Sequence, residues 1–160
     1  MTQDRRPLAQ TTHQETLVPI PQVDPRGPRF GAAVTTIVLI AVLITGNAWL
    51  LAAQAVVFAL GASLGVARSP YGWLFRTVVR PRLAAPAELE DARPPRFAQG
   101  VGLGFAVIGL VGYLSGATLL GAIATALALA AAFLNAAFGF CLGCEIYLLI
   151  VRFRRRSHAA

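Results

Sequence analysis

Four long apolar runs, separated by breaks of only a few residues or by one polar segment, constrain this chain more than any other feature. They cover residues 30–46, 49–66, 97–114 and 118–151. A helix rises about 1.5 Å per residue and needs roughly 20 residues to cross about 30 Å of hydrocarbon, and the first three runs are near that length. The chain has 160 residues and 56% hydrophobic content, with a mean hydropathy of +0.64. That is too short and too apolar for an ordinary soluble enzyme with a large core. The expected fold is all-α and integral to a membrane, with four transmembrane helices.

Arginine placement orients these spans. All fourteen basic residues are arginine, and the net charge is +7. Arg5, Arg6, Arg26 and Arg29 precede the first span. Arg68, Arg76, Arg80, Arg82, Arg93 and Arg96 lie in the central segment, and Arg152, Arg154, Arg155 and Arg156 close the chain. The short connections near Asn47 and at Ser115 and Gly116 carry none. Cytoplasmic segments hold the excess of positive charge, so both termini and the centre of this multi-pass chain are expected on the cytoplasmic side. The lipid bilayer is then the main partner. Arginines that flank spans serve topology, so no nucleic-acid partner is expected. Residues 1–22, polar and rich in proline, are expected to form a disordered cytoplasmic tail, with no removable signal peptide, and residues 154–160 form a basic C-terminal tail.

The segment Asp24-Pro25-Arg26-Gly27-Pro28-Arg29-Phe30 recurs as Asp91-Ala92-Arg93-Pro94-Pro95-Arg96-Phe97, each time just before an odd-numbered span. A second echo sets Gly61-Ala62-Ser63-Leu64-Gly65 against Gly139-Phe140-Cys141-Leu142-Gly143, which makes Ser63 the counterpart of Cys141. Two parallel hairpin repeats follow, residues 23–69 and 91–153, related by a pseudo-two-fold axis along the membrane normal. From Phe30 to Gly65 is 35 residues and from Phe97 to Gly143 is 46, so the second hairpin must absorb 11 more by tilt, by a break or by projection beyond the bilayer. The repeated segment suits a helix start, with proline in the first turn and arginine reaching headgroups. Its alternative use is an anion or headgroup site built from Arg26, Arg29, Arg93 and Arg96.

Residues 70–90 join the repeats as an interfacial cytoplasmic helix and a loop. Leu74, Phe75, Val78 and Val79 share an apolar face, Arg76 and Arg80 point away, and Tyr71 and Trp73 suit the headgroup layer. Four GxxxG pairs (Gly61/Gly65, Gly100/Gly104, Gly112/Gly116 and Gly139/Gly143) and the Ala128/Ala132 pair are expected to bring helix backbones close.

The candidate chemistry lies in the last run, where the chain's two cysteines stand three apart beside a carboxylate as Cys141-Leu142-Gly143-Cys144-Glu145. Two cysteines placed at random in this chain would show that spacing roughly once in 80 trials. On a continuous helix, Leu134, Ala137, Cys141, Cys144, Glu145, Leu148 and Arg152 share one stripe, and Asn135 points elsewhere into a helix contact. The plain alternative is that the thiols fill a helix contact and that Glu145 pairs with nearby arginines at the interface. A reactive pair would act as a dithiol relay: one thiolate attacks a sulfur centre, the other resolves the mixed species, and Glu145 moves protons. The cytoplasmic side favours the reduced form. Two thiolates and one carboxylate leave zinc a ligand short, and His13 and His158 lie in the tails, so neither a metal nor another cofactor is expected. No strand-linked phosphate loop, G-x-S-x-G or central histidine supports hydrolase or nucleotide chemistry.

The repeated D-x-R-x-P-R-F start, Ser69-Pro70-Tyr71-Gly72, Arg80-Pro81-Arg82 and the Phe140-Cys141-Leu142-Gly143-Cys144-Glu145-Ile146-Tyr147 ending together resemble the bacterial membrane family called domain of unknown function 4395. The likeness runs from about Val23 to Phe153. It implies four helices in the inner (plasma) membrane of a bacterium without an established activity, and an association with soluble thioredoxin-like or rhodanese-like proteins. Three functions are therefore open: a membrane dithiol redox or sulfane-sulfur relay, an oligomeric transporter or channel subunit for a small sulfur-containing anion, and a non-catalytic scaffold.

Overall fold

A computed structural model describes residues 21–157 as six helices and one two-residue antiparallel ladder. The helices are α1 (Arg26–Thr45), α2 (Ala48–Leu64), α3 (Pro70–Leu74), α4 (Arg93–Leu114), α5 (Thr118–Phe138) and α6 (Leu142–Ser157). Local chemistry sets their ends. Gly46, at φ 64°, stops α1, and the Asn47 side chain accepts hydrogen bonds from the Trp49 and Leu50 amides at 2.9 and 3.2 Å, which starts α2.

Helices α1, α4 and α5 are long and apolar enough to cross a membrane. α2 is apolar but has 17 residues, about 26 Å of rise, so the second run yields a shorter helix than expected. The fourth run is not one helix. Gly139 adopts a left-handed conformation (φ 70°, ψ 11°), its N–H donates to the Asn135 carbonyl at 3.0 Å, and α5 ends there. A break thus takes up the additional length of the second half, and the chain restarts as α6.

α1 packs along α5, α5 along α4 and α4 along α2, while α1 and α2 touch little. Each hairpin's first helix therefore lies against the other hairpin's second. Leu39, Val42, Leu51, Ala55, Phe58, Ala106 and Ala128 fill the centre. One polar chain crosses it: the Tyr71 hydroxyl donates to Gln54 Oε1 at 2.7 Å, and Gln54 Nε2 donates to Thr35 Oγ1 at 3.4 Å. The outside is apolar, with Ile44 80%, Trp49 81% and Leu119 73% exposed. Water-soluble monomers rarely present so much apolar surface, whereas helices solvated by lipid do.

Glycine spacing misleads about packing. Gly65, Gly116 and Gly139 have positive φ and sit at helix ends, and Gly100 and Gly104 face open space. None of the four GxxxG pairs acts as a pair. Close approach comes from single glycines instead. A Cβ on Gly112 would lie 2.5 Å from the Gly121 amide nitrogen and 2.8 Å from its Cα, so α4 and α5 meet backbone to backbone there.

The linker departs from its expected faces. α3 continues through a wide π turn (Phe75–Val79) and a 3-10 turn (Arg80–Arg82). Phe75 is buried 5.8 Å from the Phe30 ring, but Val78 is exposed, and Tyr71 turns inward to Gln54 rather than towards headgroups. After the loop, Glu90–Asp91 (β2) pairs with Gln22–Val23 (β1). This ladder sets the two repeated segments side by side. Asp24 is buried there and holds Arg26 at 3.0 Å, and that hydrogen bond keeps its carboxyl below the usual carboxylate range.

Two measurements check this packing. Gly112→Leu should destabilise the bundle by about 1–3 kcal/mol, read as a lower Tm in detergent, because α4 and α5 must separate; an unchanged Tm would contradict the close approach. Because the Asp24 pKa is lowered on folding, its contribution is present above about pH 4, the ordinary carboxylate value, and is lost as pH falls through the lower folded value. The wild type should lose stability in that acid window with a steeper pH slope than Asp24→Asn, and equal slopes would contradict the assignment.

Candidate functional site

The break at Gly139 determines what the cysteines are. Cys141 is not a mid-helix residue; it is the residue from which α6 starts. Its sulfur accepts the Cys144 N–H at 3.4 Å, and its carbonyl accepts the Glu145 N–H at 3.1 Å. The sulfur thus occupies the place of an N-cap oxygen, with the Cys144 amide of the first turn directed at it. Cys144 lies one turn on, its Cα 5.2 Å from that of Cys141, with the two sulfurs at disulfide distance. The pair expected as a cytoplasmic dithiol therefore has a backbone that holds the closed form.

The continuous stripe through Leu134 and Ala137 does not exist, because those residues belong to α5 and the thiols to α6. Glu145 remains in the first turn of α6 but is exposed rather than buried in a helix contact. The match of Ser63 with Cys141 also fails: Ser63 lies inside α2, donating to the Ala59 carbonyl at 2.7 Å. By helix ends, Gly65 corresponds to Gly139, and the residue placed like Cys141 is Ser69. The Ser69 Oγ accepts the Gly72 N–H at 3.2 Å, as the Cys141 sulfur accepts that of Cys144.

α6 is held against the first turns of α4. A Cβ on Gly143 would lie 2.6 Å from the Ala98 Cβ and 2.7 Å from its Cα, and the Tyr147 ring stands 5.7 Å from that of Phe97. This docking closes a cavity of about 300 Å³ between α1, α2, α4 and α5. Cys141 lies in its wall, and Thr35, Gln99 and Asn135 are its other polar lining residues. Asn135, expected to serve packing, faces this space. Thr35, Gln54 and Gln99 were not singled out from the sequence, although each is a polar interruption of an apolar run.

The four arginines have separate neighbours. Arg26 pairs with Asp24 and donates to the Ala84 carbonyl at 3.0 Å. Arg93 stands 3.6 Å from Asp91. Arg96 donates to the Ala62 and Ser63 carbonyls, each at 2.6 Å, and so caps the C-terminal end of α2. The Arg29 guanidinium carbon would be 3.6 Å from a Cβ on Gly139, at the C-terminal end of α5. Cations belong at those ends, where unpaired carbonyls gather. Arg93 and Arg96 share a surface pocket with Tyr147, and Arg26 and Arg29 are not part of its lining. Among the described residues no three of His, Cys, Asp or Glu gather as for a metal ion; His13 and His158 lie outside the described residues, as do Arg5 and Arg6.

The family model described as Domain of unknown function (DUF4395) matches residues 23–152. Among curated proteins and among solved structures, nothing matches the chain.

Gly143→Leu tests the docking that positions Cys141. The side chain has no room against Ala98, so α6 should lift from α4 at a cost of about 1–3 kcal/mol, and amide exchange in α6 should rise severalfold. Unchanged exchange would show that α6 is not held there.

Proposed function

Because this chain belongs to the family described as domain of unknown function 4395, whose description names no activity, we propose a function from the site: a membrane dithiol relay in which Cys141 and Cys144 exchange with a soluble thiol protein. The carrying observation is the Cys-x-x-Cys pair at disulfide distance on a helix N-terminus. The Cys141 sulfur stands against the Cys144 amide at the start of α6, a position from which it can both be attacked and be released in thiol–disulfide exchange.

In the exchange, a partner thiolate attacks the Cys141 sulfur of the closed pair. The Cys141–Cys144 bond breaks, and Cys144 leaves as a thiolate. The partner's second thiol then attacks its own bridging sulfur, releasing Cys141 and leaving the partner oxidised. Two electrons have passed to the membrane pair, and two protons follow, with exposed Glu145 placed to carry them. A thioredoxin-like partner suits this step; with a rhodanese-like partner the Cys141 thiolate of the open pair would attack the outer sulfur of the partner's persulfide, taking that sulfur as the partner's thiolate leaves.

The architecture proposed with it is two parallel hairpins, four spans, in a bacterial inner membrane with both termini cytoplasmic. Several features support this reading. The Asp24–Arg26 and Asp91–Arg93 contacts repeat, Arg96 and Arg29 each reach the end of the opposite hairpin's second helix, and the arginine-free turns lie at the other end. The 17 residues of α2 suffice where the bilayer thins or flanking residues reach out. The anion-transporter reading has less to stand on, since the cavity beside Cys141 has no charged side chain in its lining.

Trapping of the mixed species tests the relay. In Cys144→Ser the Cys141 thiolate attacks the disulfide of the oxidised partner, the reverse of the exchange above, and no Cys144 thiol is left to resolve the product. Native membranes should therefore accumulate a covalent adduct of Cys141 with a soluble thiol protein that dithiothreitol releases, whereas Cys141→Ser should give at least about tenfold less. Equal, negligible adduct from both variants would overturn the relay and leave a scaffold.

A further inference from the structure

The cavity behind Cys141 restricts what else can trade electrons with the pair. The geometry points to a lipid-soluble quinone, bound in this cavity, as the oxidant that closes the Cys141–Cys144 bond, an inference that rests on the dithiol relay proposed above.

The lining is apolar apart from Thr35, Gln99, Asn135 and Cys141, and it contains no Arg, Asp or Glu. A charged substrate would lose its hydration without a counter-charge to replace it, so the occupant is neutral. About 300 Å³ lies at the lower end of small-molecule sites, enough for a substituted ring but not for a folded peptide. The polar groups suit two carbonyls. Gln99 and Asn135 bring amide donors, and the Thr35 oxygen already accepts the Gln54 Nε2 hydrogen, which leaves its own hydroxyl hydrogen to donate into the cavity. The space is also reachable from lipid. Leu127, Leu142 and Ile146 line it while being 51%, 38% and 43% exposed on the outside of the bundle. An apolar mouth of that kind admits a molecule dissolved in the bilayer and gives little to a soluble oxidant.

The step balances within the site. The Cys141 thiolate bonds to a ring carbon of the quinone, and the Cys144 thiolate then attacks the Cys141 sulfur. The sulfur–sulfur bond forms as the carbon–sulfur bond breaks, and the electron pair leaves on the ring. The hydroquinone takes the two protons given up by the thiols, so one dithiol and one quinone become one disulfide and one quinol. The closed pair is then ready for the partner exchange, and Cys141 serves both steps because it is the sulfur in the cavity wall.

The test uses the reduced full chain in nanodiscs without oxygen, with decylubiquinone as the probe and diamide as a soluble oxidant in parallel. One quinone should be reduced for every two thiols lost, with saturation in quinone; Cys141→Ser should abolish the reaction, and Ala132→Phe, which fills the cavity, should slow it by about tenfold or more. Because Ala132→Phe could impair folding, the wild type is also labelled with a photoreactive azidoquinone and the adducts are mapped. Adducts on Gln99, Gly102, Ala128 or Asn135, which line the cavity away from the outer surface, support the site, and adducts confined to positions outside its lining overturn it. Oxidation by diamide without any quinone reduction, or a quinone rate unaffected in folded Ala132→Phe, also overturns the quinone inference while the relay stands. A pair that neither oxidant closes overturns the relay itself.

Discussion

The left-handed turn at Gly139 is the constraint on which the rest of this structure depends. Without it, α5 would run on and carry both cysteines up the side of one long helix, their sulfurs packed like any other small side chains. With it, a new helix must begin within three residues, and its unpaired amides need an acceptor. Cys141 supplies a sulfur for that purpose. A position that structure alone would give to serine or aspartate is thereby given to a redox-capable atom, and Ser69, in the same place at the start of α3, shows the ordinary solution in the other half of the chain.

Docking of α6 carries the second half of the argument. Gly143 has no side chain because Ala98 occupies its space, and that contact swings the start of α6 over the gap between the other helices. Five alanines and two glycines stand among the larger side chains that bound the gap, and space is left where those small residues face it. Charge is kept away from it. The arginines expected to form an anion site instead close helix ends or pair with aspartates. What remains beside Cys141 is an uncharged pocket with a few hydrogen-bonding groups, which supports the proposed exchange with an uncharged molecule better than it supports passage of an anion.

Much of the fold was legible in the sequence because apolar runs and their polar breaks obey length and composition rules that need no tertiary knowledge. α1 and α4 follow their runs but begin four residues earlier, in the repeated arginine segments, α5 takes the first part of the last run, and the turn at Asn47 falls at the break. The errors have a common origin in what a single residue does once its neighbours are fixed. Gly139 looks in sequence like half of a GxxxG pair, yet its backbone is a helix stop. Tyr71 reads as a headgroup anchor, but Gln54, a lone amide in an apolar run, needs a partner and draws it inward. The pairing of β1 with β2 rests on two residues from distant segments and leaves no periodic signal. The closeness of Cys141 and Cys144 follows from their spacing, whereas the cavity beside them, formed by five helices, has no linear trace.

The relay requires that the two sulfurs form one reversible couple, and a redox titration measures this directly. The full chain in nanodiscs is equilibrated across graded ratios of reduced to oxidised dithiothreitol, free thiols are alkylated, and intact mass counts the adducts. The account predicts a single two-electron transition in which Cys141 and Cys144 lose their labels together. Two thiols that stay labelled throughout, or that lose their labels independently, would contradict it.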